Sequence, residues 1–581
     1  MPYPANTSRQ GAAELALARR EGRALYRVVL VFSLFVNLLM LTAPFYMLNV
    51  YDRVLGSRSL ETLVALSVLA TFLFGIMGVL DHARGLIMAR VAARFQMRLD
   101  RRVFMATLRA QAQSRGGPTA HFGPHDLDKV QRGLTSPGFA ALFDLPWVPL
   151  FLLGIFIFHP GLALLALGGG AVLVGAAFAN HVVIRGPLDR LHDATRIADR
   201  LHHQTRASRD TIVALGMQEA SVNRWQTARA AALDATMATV DIRTGFTTFI
   251  KTFRLFIQTA MLGLGAFLVL RGVLTPGAMI AASVLMGRAL APVEQIVSQW
   301  ALLSQAREGW RNLTVLLANT PLPATRTTLP KPLGRICVDQ ITVVPPGQRQ
   351  AAVRMISFDL APGQALGVIG PSGAGKSALA YALTGIWAPA GGVIRLDGAT
   401  LDQYDPDFLG QHIGYLPQRV QLSDGTIRDN IARMSVKPDD AAVIAAARAA
   451  GAHDMILSLP DGYDTDVTAQ DGGLSGGQIQ RIGLARALYG DPVMLVFDEP
   501  DSNLDNAGSV ALTNAIRMAK ADGKSIVIMA HRPAAIQDCD LLLMLENGTR
   551  RAFGSPDDVL RDVVHRPGAH PIDSPRVAGR S

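Results

Sequence analysis

The run Gly370-Pro371-Ser372-Gly373-Ala374-Gly375-Lys376-Ser377 has the residue types and spacing to hold phosphate. Before it lies the apolar stretch Ala365–Ile369, which reads as a buried strand; after it, from Ala378 to Leu383, the pattern reads as a helix. In that context glycines let backbone N–H groups curl around phosphate oxygens, and the helix N-terminus adds a favourable dipole. Lys376 reaches the outer phosphates and the Ser377 hydroxyl holds Mg²⁺. A second chemical element lies further along. Val493–Phe497 reads as a buried strand ending in Asp498 and Glu499. Asp498 suits the magnesium side, and Glu499 suits a base that polarises an attacking water.

The elements that must position these residues are spread over two unlike halves. The hydrophobic share is 49% and the charged share 18%. The first half holds long uncharged stretches, whereas the second reads as a soluble α/β domain. The formal net charge of +10 comes largely from residues flanking the apolar runs, without interleaved aromatics. An anionic inner membrane surface, with its lipid, is the better partner for that charge than nucleic acid. The two cysteines, Cys337 and Cys539, imply neither a disulfide framework nor a metal site. No cleavable signal peptide is expected, because the first two dozen or so residues are polar and the first apolar run exceeds a signal core.

Six spans are expected. Val28–Tyr51 and Thr62–Leu80 are uncharged runs. Leu145–Ile184 is twice the length of one span and is broken at His159-Pro160-Gly161, which predicts helices over 139–158 and 161–183. The fifth and sixth are placed at 251–270 and 275–296, with Thr275-Pro276-Gly277 as the turn. Arg19, Arg20, Arg23 and Arg27 precede the first span, and the stretch from Arg84 to Pro137 is rich in arginine. The positive-inside rule then puts the N-terminus and the long connections in the cytoplasm. Those connections, 84–137 and 185–249, read as cytosolic extensions of the membrane helices. The Gly116–Pro124 break and the 203–214 region are candidates for short transverse pieces touching a soluble domain.

Charged residues inside the spans call for partners. Asp144, Lys251 and Arg254 are expected near the cytoplasmic face, where side chains can snorkel. Arg288 lies deeper, about 20 Å along a helix that enters at Thr275. It either lines a translocation route or pairs with Glu294 or Asp144.

A proline-rich stretch, Ala318–Leu333, reads as a linker, followed by strands at Ile336–Val344 and Val353–Leu360. Between the phosphate loop and the Asp498-Glu499 pair stands Leu474-Ser475-Gly476-Gly477-Gln478, followed by Gln480-Arg481. Here the sequence resembles the ATP-binding cassette family. Gln418, in Tyr415-Leu416-Pro417-Gln418, matches the family's glutamine loop. Asp505 matches its D-loop and His531 its switch histidine. The resemblance implies that ATP lies between the phosphate loop of one cassette, residues 370–378, and the signature of another, with Ser475, Gly477 and their neighbours Gly476 and Gln478 at the second face. It also implies catalytic roles for Glu499, His531, Gln418 and Lys376, and Mg²⁺ held through Ser377, Gln418 and Asp498. One cassette with six spans implies a half-transporter that forms a homodimer.

Two departures stand out. The family usually places an aromatic ring about 25 residues before the loop to stack on adenine. This sequence has Ile341-Thr342-Val343-Val344-Pro345-Pro346-Gly347 there. Ala378 stands where threonine is common, so one hydroxyl contact to phosphate is lost while the backbone N–H remains.

The membrane half is similar to the permease/ATPase of type I protein secretion, protease-exporter branch, in Asp144-Leu145-Pro146-Trp147-Val148-Pro149, in His159-Pro160, in the 274–292 stretch and in Val344–Gly347. That likeness implies a bacterial inner membrane, a periplasmic membrane-fusion adaptor, an outer-membrane channel protein and a secreted protein substrate with a C-terminal signal. No N-terminal peptidase-like domain is seen, so leader cleavage is not expected. The expected architecture is an α-helical six-span transmembrane domain followed by an α/β P-loop nucleotide-binding domain of ABC type. Its parts are an N-terminal segment at 1–27, the membrane domain at 28–317, a linker at 318–333, the nucleotide-binding domain at 334–561 and a disordered tail at 562–581. An exporter of lipid, drug or peptide would share the cassette and the spans. A soluble cassette acting on nucleic acid and a gated channel with a degenerate cassette fit less well, given the spans and Glu499.

Overall fold

The computed structural model describes residues 5–113, 122–321, 329–467, 473–502, 504–530 and 536–565. The chain forms two compact units, one within residues 1–321 and one made mainly of Leu322–Ser581.

The first unit is all helical. In chain order its helices are α1 (Ala5–Glu21), α2 (Arg23–Leu39), α3 (Thr42–Asn49), α4 (Leu60–Gln113), α5 (Pro124–Leu134), α6 (Pro137–Asp144), α7 (Val148–Phe158), α8 (Pro160–Ala207), α9 (Arg209–Ala214), α10 (Gln218–Leu270), α11 (Pro276–Ser298) and α12 (Trp300–Asn319). Six stretches are long and apolar enough to cross a bilayer: Arg23–Ser57, Leu60–Gln111, Pro137–Phe158, Pro160–Ala207, Gln218–Leu270 and Pro276–Ser298. They coincide with the six expected runs. The 54, 48 and 53 residues of α4, α8 and α10 far exceed a single crossing, so the charged connections do continue the membrane helices. Between α8 and α10 the chain reverses through α9, within the expected 203–214 region. Most of the Gly116–Pro124 break lies outside the described residues.

Local sequence accounts for the helix starts. His159 is extended, its Nδ1 accepts from Gly161 N at 3.0 Å, and Pro160 occupies the first helical position. Thr275 does the same for α11: its hydroxyl accepts from Ala278 N at 3.2 Å, ahead of Pro276. The Asp52 carboxylate reinforces this start by accepting from Thr275 Oγ1 at 2.6 Å and Gly277 N at 2.8 Å. Two spans are less regular than their sequences suggest. The first breaks after α2 and passes through a π-helical turn at Val50–Val54. The third bends through a 3₁₀ turn at Leu145–Trp147, where Pro146 and Pro149 remove backbone donors.

The core of this unit joins α7, α8, α10 and α11 through Phe151, Leu162, Leu173, Ile257, Met261 and Met286. Gly169 permits the α8–α10 approach, since a Cβ there would stand 2.9 Å from Ile257 Cγ2. The charged residues are not simply snorkelled. Asp144 is buried, and its Oδ1 accepts from Arg84 Nη1 at 2.6 Å and from Asn37 Nδ2 at 2.9 Å. Arg254 pairs with Glu294 at 3.2 Å. Both carboxylates considered for Arg288 therefore serve other groups.

The second unit is α/β. Its strands are β1 (Ile336–Val343), β2 (Val353–Leu360), β3 (Ala365–Ile369), β4 (Gly391–Leu396), β5 (Ala399–Thr400), β6 (Ile413–Leu416), β7 (Gly425–Thr426), β8 (Asp466–Val467), β9 (Met494–Asp498), β10 (Ser525–Met529), β11 (Leu541–Glu546) and β12 (Thr549–Gly554). The main sheet runs β12-β11-β3-β10-β9-β6, parallel except for the edge strand β12. An antiparallel sheet, β2-β1-β4-β5, forms a second layer. Helices α13 (Lys376–Leu383), α14 (Ile427–Ile431), α15 (Asp440–Ala449), α16 (His453–Leu457), α17 (Gly476–Leu488), α18 (Asn506–Ala521) and α19 (Pro556–His565), with a further short helix at Pro406–His412, complete it. Strands β3, β9 and β10 are nearly continuous runs of buried apolar residues, as both faces of a parallel sheet require. One core lies between the two sheets around Leu379, Leu383, Val368 and Val496. The other covers the opposite face around Leu416, Ile482, Phe497 and Ile528. Helix α19 continues through His565, into the stretch read as a tail, and 566–581 lie outside the described residues.

Candidate nucleotide site

The site sits at the carboxyl ends of the parallel strands, where open α/β sheets present their loops. Strand β3 ends at Ile369 and the chain turns through Gly370–Gly375 into α13. Gly375 has φ +100, and a Cβ there would lie 2.3 Å from the carbonyl oxygen of Ala352, so only glycine fits beside the β1–β2 hairpin. Lys376 begins the helix. Its buried ammonium donates to the carbonyls of Gly370 at 2.7 Å and Pro371 at 3.1 Å. Burial lowers its pKa, and the carboxylates of Glu499 and Asp498 act in the opposite direction. The loop N–H groups, the α13 dipole and this ammonium together make an anion site.

Strand register brings the acidic side to the same place. Leu416 of β6 stands opposite Phe497 of β9. Two residues beyond each lie Gln418 and Glu499, and Gln418 Nε2 donates to Glu499 Oε2 at 2.8 Å. The amide's donor end thus faces Glu499, leaving its carbonyl oxygen as an acceptor. Glu499 has φ +51, a strained conformation for a non-glycine residue, held by its N–H bond to Met529 O at 2.9 Å. Asp498 ends β9 with its carboxylate buried. Oxygen donors of the kind that Ser377, Gln418 and Asp498 carry would suit Mg²⁺, a hard cation that takes few protein ligands and keeps its waters. His531 lies outside the described residues.

The signature residues are placed differently. Ser475 caps α17, its hydroxyl accepting from Gln478 N at 3.3 Å, while Gln478 Oε1 accepts from Ser475 N at 2.7 Å. This capping box leaves Gly476 and Gly477 in the first turn, with their N–H groups at the positive end of the helix. Helix α17 packs on β6 and α15. Among the described residues no hydrogen bond or ion pair joins Ser475–Gln478 to 370–378. Asp505 caps α18 through Gly508 N at 2.8 Å and receives Arg481 Nη2 at 2.5 Å. Those two bonds hold its carboxyl below the usual aspartate range. The Arg481–Asp505 pair and the buried Gln480, whose Nε2 donates to Pro500 O at 3.2 Å, are contacts that sequence reasoning did not anticipate. No periodicity relates residues so far apart. The turn of the β1–β2 hairpin beside Gly375, residues 344–352, carries Val344, Pro345, Pro346 and Arg349 and no aromatic residue, as the sequence implied.

Residues 353–502 match the family described as ABC transporter, and residues 26–293 match the ABC transporter transmembrane region. The type I secretion system ATP-binding protein PrsD of Rhizobium meliloti (strain 1021) is 41% identical over 96% of this chain and 96% of its own length. The chain belongs to the ABC transporter family. As a member it is a multi-pass membrane protein and an ATPase coupled to transport. It is also 28% identical to the toxin RTX-I translocation ATP-binding protein of Actinobacillus pleuropneumoniae, over 93% of this chain and 77% of that one. The cyclolysin secretion/processing ATP-binding protein CyaB of Bordetella pertussis (strain Tohama I) matches at 28%, over 93% of this chain and 76% of that protein. The fold of this ABC transporter is similar to that of a bacterial Atm1-family ABC exporter with ATP bound, with a TM-score of 0.79 and 22% identity over 95% of this chain and 99% of that one.

Proposed function

We propose that this chain is the energising half-transporter of a type I secretion system. It works as a homodimer and exports an unfolded protein bearing a C-terminal signal across the bacterial inner membrane. The observation that carries this reading is the 41% identity with a type I secretion protein over 96% of both chains, which spans the membrane half as well as the cassette. In this reading 28–317 form the membrane domain, 318–333 the linker and 334–561 the nucleotide-binding domain. The basic residues before α2 and along α4 put the N-terminus and the cassette in the cytoplasm. A periplasmic adaptor and an outer-membrane channel complete the route.

The geometry supports a defined division of labour. The loop 370–378 takes the phosphates, with Lys376 drawn from the Gly370 and Pro371 carbonyls toward the added negative charge. Ser377, Asp498 and the free carbonyl end of Gln418 would hold Mg²⁺, which when bound supplies charge neutralisation at the phosphates. Glu499 orients and polarises the water, its carboxylate already fixed by Gln418. His531 is assigned the switch role by its place after β10. The N–H groups of Gly476 and Gly477 at the start of α17 close on the γ-phosphate from the second copy, so ATP makes contacts that exist only in the closed dimer. Asp505 keeps that face in position through Arg481.

The test compares the proteins released to the medium by cells carrying the wild-type chain or Glu499→Gln at equal membrane level. Loss of one or a few proteins from the medium, with their retention in cells, supports protein export. An unchanged medium despite lost ATPase would point to lipid or small-molecule cargo.

A further inference from the structure

In the membrane unit, α11 is the span most enclosed by its neighbours, packed against α3, α6, α7, α8 and α10. Met286, Leu290 and Val297 point into that core. One stripe at helical spacing stays open: Gly287, Arg288, Ala291, Glu294, Gln295 and Ser298 are half-buried or exposed. On the adjoining face of α10, Gln258 lies 4.0 Å from where a Cβ at Gly287 would stand, and Arg254 binds Glu294 at 3.2 Å. From Arg288 onward this stripe carries Glu294, Gln295 and Ser298, while Val284, one turn earlier at the same spacing, is half-buried and apolar. The open face of α4, by contrast, carries Val64, Val68 and Phe72, as contact with lipid tails demands.

Arg288 is the odd charge on the stripe. It lies about 20 Å along α11 from Thr275, within a hydrocarbon layer of about 30 Å. Glu294 is taken by Arg254, and Asp144 by Arg84 and Asn37. Among the described residues Arg288 has no hydrogen bond or ion pair. An arginine at that depth must meet water or an anion. The stripe as a whole is one positive charge in excess, since the Arg254–Glu294 pair is neutral.

We propose that this stripe is a wall of the water-filled route and that Arg288 is a binding position for carboxylate groups of the polypeptide in transit. A guanidinium grips a carboxylate through two parallel N–H bonds, yet near water it lets go readily, which suits a passing chain. The proposal rests on the protein-export reading for the identity of its ligand, but the wetness of the stripe does not.

The test uses the full-length chain in inside-out membrane vesicles, with both native cysteines kept and modified sites mapped by peptide mass. Arg288→Cys, Gln295→Cys and the lipid-facing control Phe72→Cys are treated with a charged, membrane-impermeant methanethiosulfonate. The thiols introduced at 288 and 295 are expected to react at least about tenfold faster than the one at 72. Equal rates would place the stripe in lipid or in a dry helix contact and overturn the proposal. In cells, Arg288→Glu is expected to lower secreted protein by about tenfold or more while Arg288→Lys retains most of it, at equal membrane levels. Secretion by Arg288→Glu equal to wild type overturns the carboxylate contact. Fast labelling with a medium that Glu499→Gln also leaves unchanged removes polypeptide as the passenger, and so separates failure of the ligand from failure of the path.

Discussion

Arg84 and Asp144 meet at 2.6 Å, joining α4 to α6, and the same carboxylate oxygen receives Asn37 from α2. Arg84 also donates to Ser33 Oγ at 3.0 Å. Three spans are thus tied by one buried acid. Removing Asp144 leaves the largely buried Arg84 guanidinium with only the exposed Asp81, 2.7 Å away, to offset its charge, and leaves Asn37 without its carboxylate acceptor. Asp144→Ala is expected to destabilise the membrane unit by about 3–5 kcal/mol, whereas Arg84→Met with Asp144→Leu should cost far less. Thermal unfolding in detergent, followed by loss of the monodisperse peak, measures both; equal losses would refute the account.

Glu499 stands where it does because β6 and β9 share register, with Gln418 holding its carboxylate. Glu499→Gln is expected to cut ATP turnover by about 10²–10⁴-fold while ATP binding persists. Gln418→Ala should lower turnover less, since it removes an orienting bond and one of three proposed Mg²⁺ donors but keeps the base and the other two donors. Steady-state phosphate release alongside equilibrium nucleotide binding gives the two readings, and a larger loss for Gln418→Ala than for Glu499→Gln would contradict this order.

Gly375 lies against the carbonyl of Ala352 at a φ of +100. Gly375→Ala adds a Cβ that has no room and forces a conformation unfavourable by about 1–2 kcal/mol even without the clash. Loss of measurable nucleotide binding is the expected result, with the cassette still folded by circular dichroism. Binding within twofold of wild type would show that the hairpin yields.

Asp52 caps the start of α11 from the far side of the first span. Asp52→Ala removes the acceptor of both Thr275 and Gly277. A cap of this kind is worth about 0.5–2 kcal/mol. A matching fall in melting temperature is expected, and none for Arg58→Ala in the neighbouring turn, whose side chain makes no hydrogen bond or ion pair among the described residues and whose left-handed backbone closes Leu55–Ser57 with either residue.

Acid should loosen the cassette in a defined way. Asp429, Asp491 and Asp505 are all held below the ordinary aspartate value of 3.8, Asp429 chiefly by Thr426, Asp491 by Lys524 and Asp505 by Gly508 N. Groups depressed in the folded state stabilise it above their unfolded pKa, and that contribution fades as pH falls through the folded value. The contribution of these three carboxylates should therefore be flat from neutral pH to about 5 and decline below about 4. Asp505→Asn should flatten part of the decline in a pH series of chemical melts.

Much of this protein was legible in its order of residues. The six spans follow from uninterrupted apolar runs, and the helix starts at Pro160 and Pro276 follow from His159 and Thr275 just before them. Strand, loop and helix around Lys376 follow from local pattern, as do the caps made by Ser475 and Asp505. All of these depend on neighbours within a few positions, which is the range over which periodicity and capping act. What only the tertiary structure decided lies between distant residues. Gln418 reaches Glu499 across 81 positions, and Arg84 reaches Asp144 across 60. Glu294 chose Arg254, leaving Arg288 to face the open stripe. Strand register and helix packing select those partners, because a buried charge takes whichever opposite charge the folded backbone brings within reach, and sequence spacing does not measure that distance.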